Sequence, residues 1–192
     1  LSQEKAIINY FENMDRSFYL DENKDLASMD RPLPIGFGQT ISQPTLVLKM
    51  TLALDLHPES RVLEIGTGSG FQTALLAAFS ESVYSVERIE PLQEGAKKKL
   101  QEAGFTNVYF KQGNGSRGWR DHDPFDRIMV TAAVPEIPDE LLGQLQSGGK
   151  MVIPIGTPFS QDLTLVEKDE EGEISQNFIE SVVFVGLVEE ED

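Results

Sequence analysis

Residues 61–71, Arg-Val-Leu-Glu-Ile-Gly-Thr-Gly-Ser-Gly-Phe, constrain this chain more than any other stretch, because a run of buried-strand residues leads directly into three glycines in five positions. Val62, Leu63 and Ile65 suit a strand covered on both faces. The glycines permit a tight turn and a close approach of backbone to a ligand, and a helix can start at about Gly70. Taken alone, the pattern favours a nucleotide-like ligand over a plain strand-to-helix connection, which remains the alternative. Gly66, Gly68 and Gly70 run Gly-x-Gly-x-Gly, not the Gly-x-Gly-x-x-Gly of a dinucleotide fold, and no Gly-Lys-Ser or Gly-Lys-Thr phosphate loop occurs.

The rest of the chain alternates around this unit. Apolar residues at helical spacing predict an amphipathic helix over 3–14, then an irregular stretch to Asp30, an extended path at 31–34 and a loop at 35–44. Ser42 is a candidate N-cap for a helix over 45–56. Strands are expected at 62–65, 82–87, 107–111, 125–131 and 150–155, with helices over 72–79, 91–103 and 138–145, the last ended by Gly148-Gly149. That order predicts an α/β fold with a doubly wound, mostly parallel sheet. Residues 163–167 and 178–185 flank a turn at 169–173 and read as a C-terminal antiparallel hairpin, followed by an acidic, solvated tail at 189–192. One domain is expected over 1–192, with 1–44 as N-terminal helix and substrate loop and 45–192 as the core.

Charge and composition narrow the partners. With 32 acidic against 16 basic residues the net charge is -16, so the average surface field repels a polyphosphate and no nucleic-acid partner is expected. The chain has no cysteine, which excludes disulfides, thiolate metal sites and a cysteine nucleophile and suits a reducing compartment. No run of 18 apolar residues occurs, and the first 20 positions carry Glu4, Asn9, Glu12, Asn13 and Asp15 where a signal peptide would be apolar. A cytoplasmic monomer, away from membranes and without a metal, is the expectation. His57 and His122, the two histidines, fall in predicted loops and read as surface residues.

Acid-x-Gly-x-Gly-x-Gly beginning at Glu64, with a second acid at Glu87, resembles the first motifs of the S-adenosylmethionine-dependent methyltransferases. Glu87 stands about twenty residues beyond the first glycines, where nucleotide folds place an acceptor for ribose hydroxyls. Residues 31–44, Arg-Pro-Leu-Pro-Ile-Gly-Phe-Gly-Gln-Thr-Ile-Ser-Gln-Pro, are similar to the substrate-loop signature of the protein-L-isoaspartate O-methyltransferases. Residues 62–72, 83–89, 125–133 and 148–156 resemble that family in the same order. The resemblance implies a Rossmann-like fold and transfer of a methyl group from S-adenosyl-L-methionine, leaving S-adenosyl-L-homocysteine, to the α-carboxylate of isoaspartyl residues in damaged proteins. The resulting ester cyclises to a succinimide that reopens partly to aspartate, which is protein repair.

Carried over by position, the resemblance assigns catalysis to Ser42 and the carboxylate pocket to Gln39, Thr40, Ile41 and Ser42. It gives the cofactor's methionine end to Glu64, Gly66, Thr67 and Gly68, its ribose to Glu87 with Arg88 alongside, its adenine to Asn114 and Gly115, and the floor beneath it to Thr131. The sequence departs from the family pattern with Asn for Asp at Asn114, and with Gly for Pro at Gly186. A carboxylate is ionised at neutral pH and is already a nucleophile, so neither general base nor metal is needed and Ser42 would position it through a hydrogen bond. Two alternatives stand beside this reading: a methyltransferase of the same fold acting on another carboxylate or small acceptor, and a cofactor-binding module without activity.

Overall fold

The computed structural model describes residues 2–188; the acidic tail at 189–192 lies outside the described residues. The central layer is a seven-stranded sheet of order β5-β4-β3-β6-β7-β8-β9. Its strands are β3 (Arg61–Ile65), β4 (Ser82–Glu87), β5 (Val108–Gln112), β6 (Phe125–Val130), β7 (Leu145–Thr157), β8 (Ser160–Lys168) and β9 (Ile174–Val182). β3 through β7 pair in parallel, whereas β7, β8 and β9 form an antiparallel meander. Its last hairpin falls where the sequence places it.

β3 and β6 lie side by side although β4 and β5 intervene in the chain, so the winding reverses between them. A ligand crevice opens at such a reversal, beyond the carboxyl ends of the strands. Ile65, Glu87 and Val130 end their strands at that edge, followed by Gly66, Arg88 and Thr131.

On one face, Met50 and Leu54 of α2 (Pro44–Leu54) and Leu76 of α3 (Phe71–Ala78) pack on Val62, Val83, Met129 and Val152 of the sheet. α1 (Gln3–Glu12) and α4 (Glu90–Glu102) extend this layer through Ile7 and Leu100, which join Val47, Phe71 and Leu75. On the other face, Leu141 of α5 (Asp139–Gln144) covers Leu63, Ile128, Met151 and Ile153.

Two local expectations are corrected. Gly148 and Gly149 do not end a helix: α5 stops at Gln144, and β7 begins at once with Leu145 opposite Phe125 before its register shifts. The helix end is instead tied to the neighbouring loop by the buried Gln144 side chain, which donates to the carbonyl of Arg117 and accepts the N–H of Trp119, both at 2.8 Å. Residues 35–44 are not a simple loop either. β1 (Leu33–Gly36) and β2 (Gln39–Ile41) form a hairpin whose two turn residues, Phe37 and Gly38, both have positive φ, as a type I′ turn requires.

Candidate active site

Two cavities flank β2. The cofactor-side cleft lies over the strand ends and is lined by Ile65, Gly66, Gly68, Val86, Glu87, Arg88, Gly113, Gly115, Thr131 and the segment Gly186–Val188, with Gln39 and Thr40 on its rim. Its walls are tightly fitted. Gly66 has φ 95°, and a Cβ there would stand 2.5 Å from Thr131 Oγ1, which itself donates to the carbonyls of Ile65 and Gly66 at 3.0 and 2.9 Å. A Cβ at Gly115 would run into Ile65 and meet Leu187 at 3.2 Å. Only glycine leaves the slot open at either place.

Glu87 is almost fully buried and does two jobs at the turn. Its Oε2 accepts the N–H of Gly68 and its Oε1 the N–H of Ile89, both at 3.0 Å. A carboxylate has about four acceptor directions, so acceptor capacity remains for ribose hydroxyls. The C-terminal segment closes the cleft: Ala133 donates to the carbonyl of Val185 at 2.8 Å and Leu187 to that of Ala133 at 2.7 Å. Gly186 therefore bridges in parallel to Ala133 despite the missing proline.

Glu64 does not line this cleft. Strand alternation turns Ile65 toward the cleft and Glu64 toward α3, where its Oε2 accepts from Thr73 Oγ1 at 2.7 Å and Ser85 Oγ at 2.6 Å. The Ser85 hydroxyl also meets Thr67 Oγ1 at 2.5 Å, so Glu64 and Thr67 brace the glycine turn from below. Oε1 of Glu64 has no partner among the described residues, and burial pushes the carboxyl up to about 7 against the lowering effect of its two hydroxyl donors, with Glu87 adding a small push. Gly115 lines the slot and Asn114 does not, its Oδ1 accepting the N–H and hydroxyl of Ser116 at 2.9 Å.

The second cavity, about 540 Å³, lies on the other side of β2 between α2 and the end of β9, and holds Ser42. Thr40 lines both cavities and is the residue they share. Ile41 lines neither: alternation in β2 sends it into the core against Leu33, Val47 and Phe71. Ser42 is also not the N-cap of α2. Gln43 holds that position without a capping side chain, and Asp30 caps from a distance, accepting the N–H of Thr45 at 2.9 Å and the Thr45 hydroxyl at 2.8 Å. The Thr45 N–H, then the Gln43 amide, hold the Asp30 carboxyl below the usual range.

Behind the hairpin stands Arg16, which the sequence did not mark. Its buried guanidinium donates to the carbonyls of Ala27, Met29, Arg31, Ile41 and Ser42 at 2.8–3.4 Å and so fixes the backbone on both sides of the loop. Neither histidine lines either of these two cavities. His57 is exposed beside Asp126 at 3.3 Å, and His122, less open than expected, packs its ring 4.7 Å from that of Tyr84. Among the described residues there is no group of three His, Asp or Glu side chains placed to hold a metal, and no helix long and apolar enough to cross a membrane.

A glycine-lined cleft at the winding reversal, a carboxylate at the end of the second strand of the core and a glycine turn with no phosphate cradle fit S-adenosylmethionine. The chain superposes on the Plasmodium falciparum β-aspartate methyltransferase (PCMT) solved with S-adenosyl-L-homocysteine, with TM-score 0.84 and 25% identity over 97% of this chain and 91% of that one. It is an S-adenosylmethionine-dependent methyltransferase. The family model described as Protein-L-isoaspartate(D-aspartate) O-methyltransferase (PCMT) matches residues 1–192, and the chain belongs to that family. It is 48% identical over 190 residues to the protein-L-isoaspartate O-methyltransferase of Pectobacterium atrosepticum, covering 98% of this chain and 90% of that relative. Identity reaches 55% over 162 residues with protein-L-isoaspartate O-methyltransferase 2 of Syntrophobacter fumaroxidans, covering 84% of this chain and 66% of that one. A solved protein-L-isoaspartate O-methyltransferase superposes with TM-score 0.86 at 28% identity, over 96% of this chain and 61% of the other.

Proposed function

We propose that this chain methylates the α-carboxylate of isoaspartyl residues in damaged proteins, with the acceptor in the Ser42 cavity and the cofactor in the glycine-lined cleft. The observation that carries the proposal is Thr40, whose position in the wall of both cavities brings an acceptor and a donor site to one residue. Family membership supplies the acceptor class. Bound cofactor supplies an electrophilic methyl group on a sulfonium.

This chain's residues contribute position. Gly66, Gly68, Glu87, Gly115 and Thr131 would hold the cofactor, with Glu64 and Thr67 bracing the turn and Arg88 on the rim; Asn114 would contribute through the turn it caps and not through its oxygen. Thr40 and Ser42 would orient the carboxylate, with Ile41 as their anchor in the core and Gln39, which lines the cofactor cleft and not the Ser42 cavity, beside them. An acceptor carboxylate is already ionised at neutral pH, so these residues would have to move no proton and would only orient its oxygen toward the methyl group that the cofactor would supply. Holding the reacting atoms about 3 Å apart in line can lower the barrier by roughly 7–11 kcal/mol. A cysteine-free, strongly acidic chain is in keeping with a cytoplasmic monomer that has no nucleic-acid partner.

Paired peptides that differ only in isoaspartyl against aspartyl linkage, assayed with methyl-labelled cofactor, test the proposal. Label should enter the isoaspartyl peptide and little of its isomer. Equal labelling, or none although cofactor binds, overturns it.

A further inference from the structure

The acceptor cavity carries a charged feature that methyl transfer does not require. Lys49 Nζ, on α2, lies 2.7 Å from Glu180 Oε2, on β9, and the two side chains line the same cavity as Ser42. They remain 50% and 35% exposed, so as an ion pair they add little to stability. Their use must be sought in what occupies the cavity.

We infer that the Lys49–Glu180 pair is a charge-reading subsite that favours a basic over an acidic side chain about three residues from the isoaspartyl position; this rests on the isoaspartyl reading given above. The spacing follows from α2. Thr45 and Lys49 both line the cavity, one helical turn apart on one face, and Ser42 lies just before the helix. At about 1.5 Å per helical residue, Lys49 is roughly 10 Å from Ser42, and an extended peptide covers that in about three residues.

The sign follows from the charges around it. Lys49 is already engaged by Glu180, and beyond the cavity lining Asp30, which holds Gln43 and Thr45 at the start of α2, stands between the buried Arg16 guanidinium and the exposed Arg31. Within the cavity lining one carboxylate thus faces one ammonium, and the field that sets the sign is that of the whole chain, of net charge -16. A basic peptide side chain can share Glu180 with Lys49. An acidic one has to displace Glu180 from Lys49 and enter a negative field.

The test uses isoaspartyl peptides with Lys, Gln or Glu three positions before or after the modified residue, and compares kcat/KM. For the wild-type chain, Lys over Gln over Glu is expected on one side, spanning about threefold to tenfold and flattening in high salt, because the pair is partly exposed. Glu180→Lys should invert the order and Lys49→Glu should steepen it. Thermal melting shows that each variant is folded, and either variant alone decides the matter if the other is not. An order unchanged in a folded variant, or no dependence on charge at either position, overturns the subsite. Failure of the neutral Gln peptide to be methylated while cofactor binds overturns the isoaspartyl reading instead.

Discussion

The guanidinium of Arg16 donates to the carbonyl of Ser42 at 2.9 Å, across 26 positions of sequence. The same group reaches four other carbonyls, so one buried cation sets the backbone on either side of the acceptor loop. Arg16→Ala should destabilise the fold by roughly 3 kcal/mol, because several buried carbonyls lose a charge-assisted donor together. Arg16→Lys should recover only part of this, since a point ammonium cannot match a planar fork. Urea unfolding measures the first effect. The peptide KM should rise in both variants while the cofactor Kd changes little.

Gly66→Ala should weaken cofactor binding at least tenfold and cost about 1–3 kcal/mol of stability, through strain at positive φ and the clash with Thr131 Oγ1. Combining it with Thr131→Ala separates the two causes. The double variant should regain the part due to contact and keep the part due to φ, which calorimetric titration of S-adenosyl-L-homocysteine with each variant measures.

Glu64 makes stability depend on pH. Its carboxyl sits at about 7 in the fold against an ordinary 4.5, so between those values the native state holds a proton that the unfolded state has released. Stability from this group is therefore highest below about 4.5 and declines as pH rises through 7, by on the order of 3 kcal/mol. Glu64→Gln keeps an acceptor for Thr73 and Ser85 but cannot ionise. Urea midpoints of the two proteins from pH 4.5 to 8 should converge toward acid and separate toward base. Parallel curves would mean that Glu64 titrates like an ordinary carboxyl.

Ser42→Ala should lower kcat for an isoaspartyl peptide roughly tenfold to hundredfold by loosening the attacking carboxylate. The backbone carbonyl held by Arg16 is unaffected by the substitution, so unfolding should be nearly unchanged. Cofactor affinity should also hold, because Ser42 lines the acceptor cavity and not the cofactor cleft.

The parts of this fold legible in the sequence are those whose signal is local. Buried runs such as Val62–Leu63 and Ile128–Val130 mark central strands, and the spacing of Gly66, Gly68 and Gly70 marks the turn. The β1–β2 hairpin was hidden because prolines and glycines read as loop, and because Phe37 takes a positive φ that its identity does not advertise. The cap of α2 escaped for another reason: Asp30 reaches Thr45 across 15 positions, so proximity in sequence pointed to Ser42. Lys49 and Glu180 lie 131 positions apart and meet only once the sheet is complete. Glu64 shows a limit of carry-over by motif: its place in the pattern implied a ligand contact, whereas strand alternation makes it a brace.

Thr40 has a consequence for the order of events. The two cavities share that wall and otherwise have different linings, so on the proposed assignment each ligand would have a site of its own. Neither needs to leave before the other enters, and the methyl group never has to be parked on the protein between visits. Initial rates measured against both ligands should give double-reciprocal lines that cross, the sign of a ternary complex, where a shuttle through a methylated enzyme would give parallel ones.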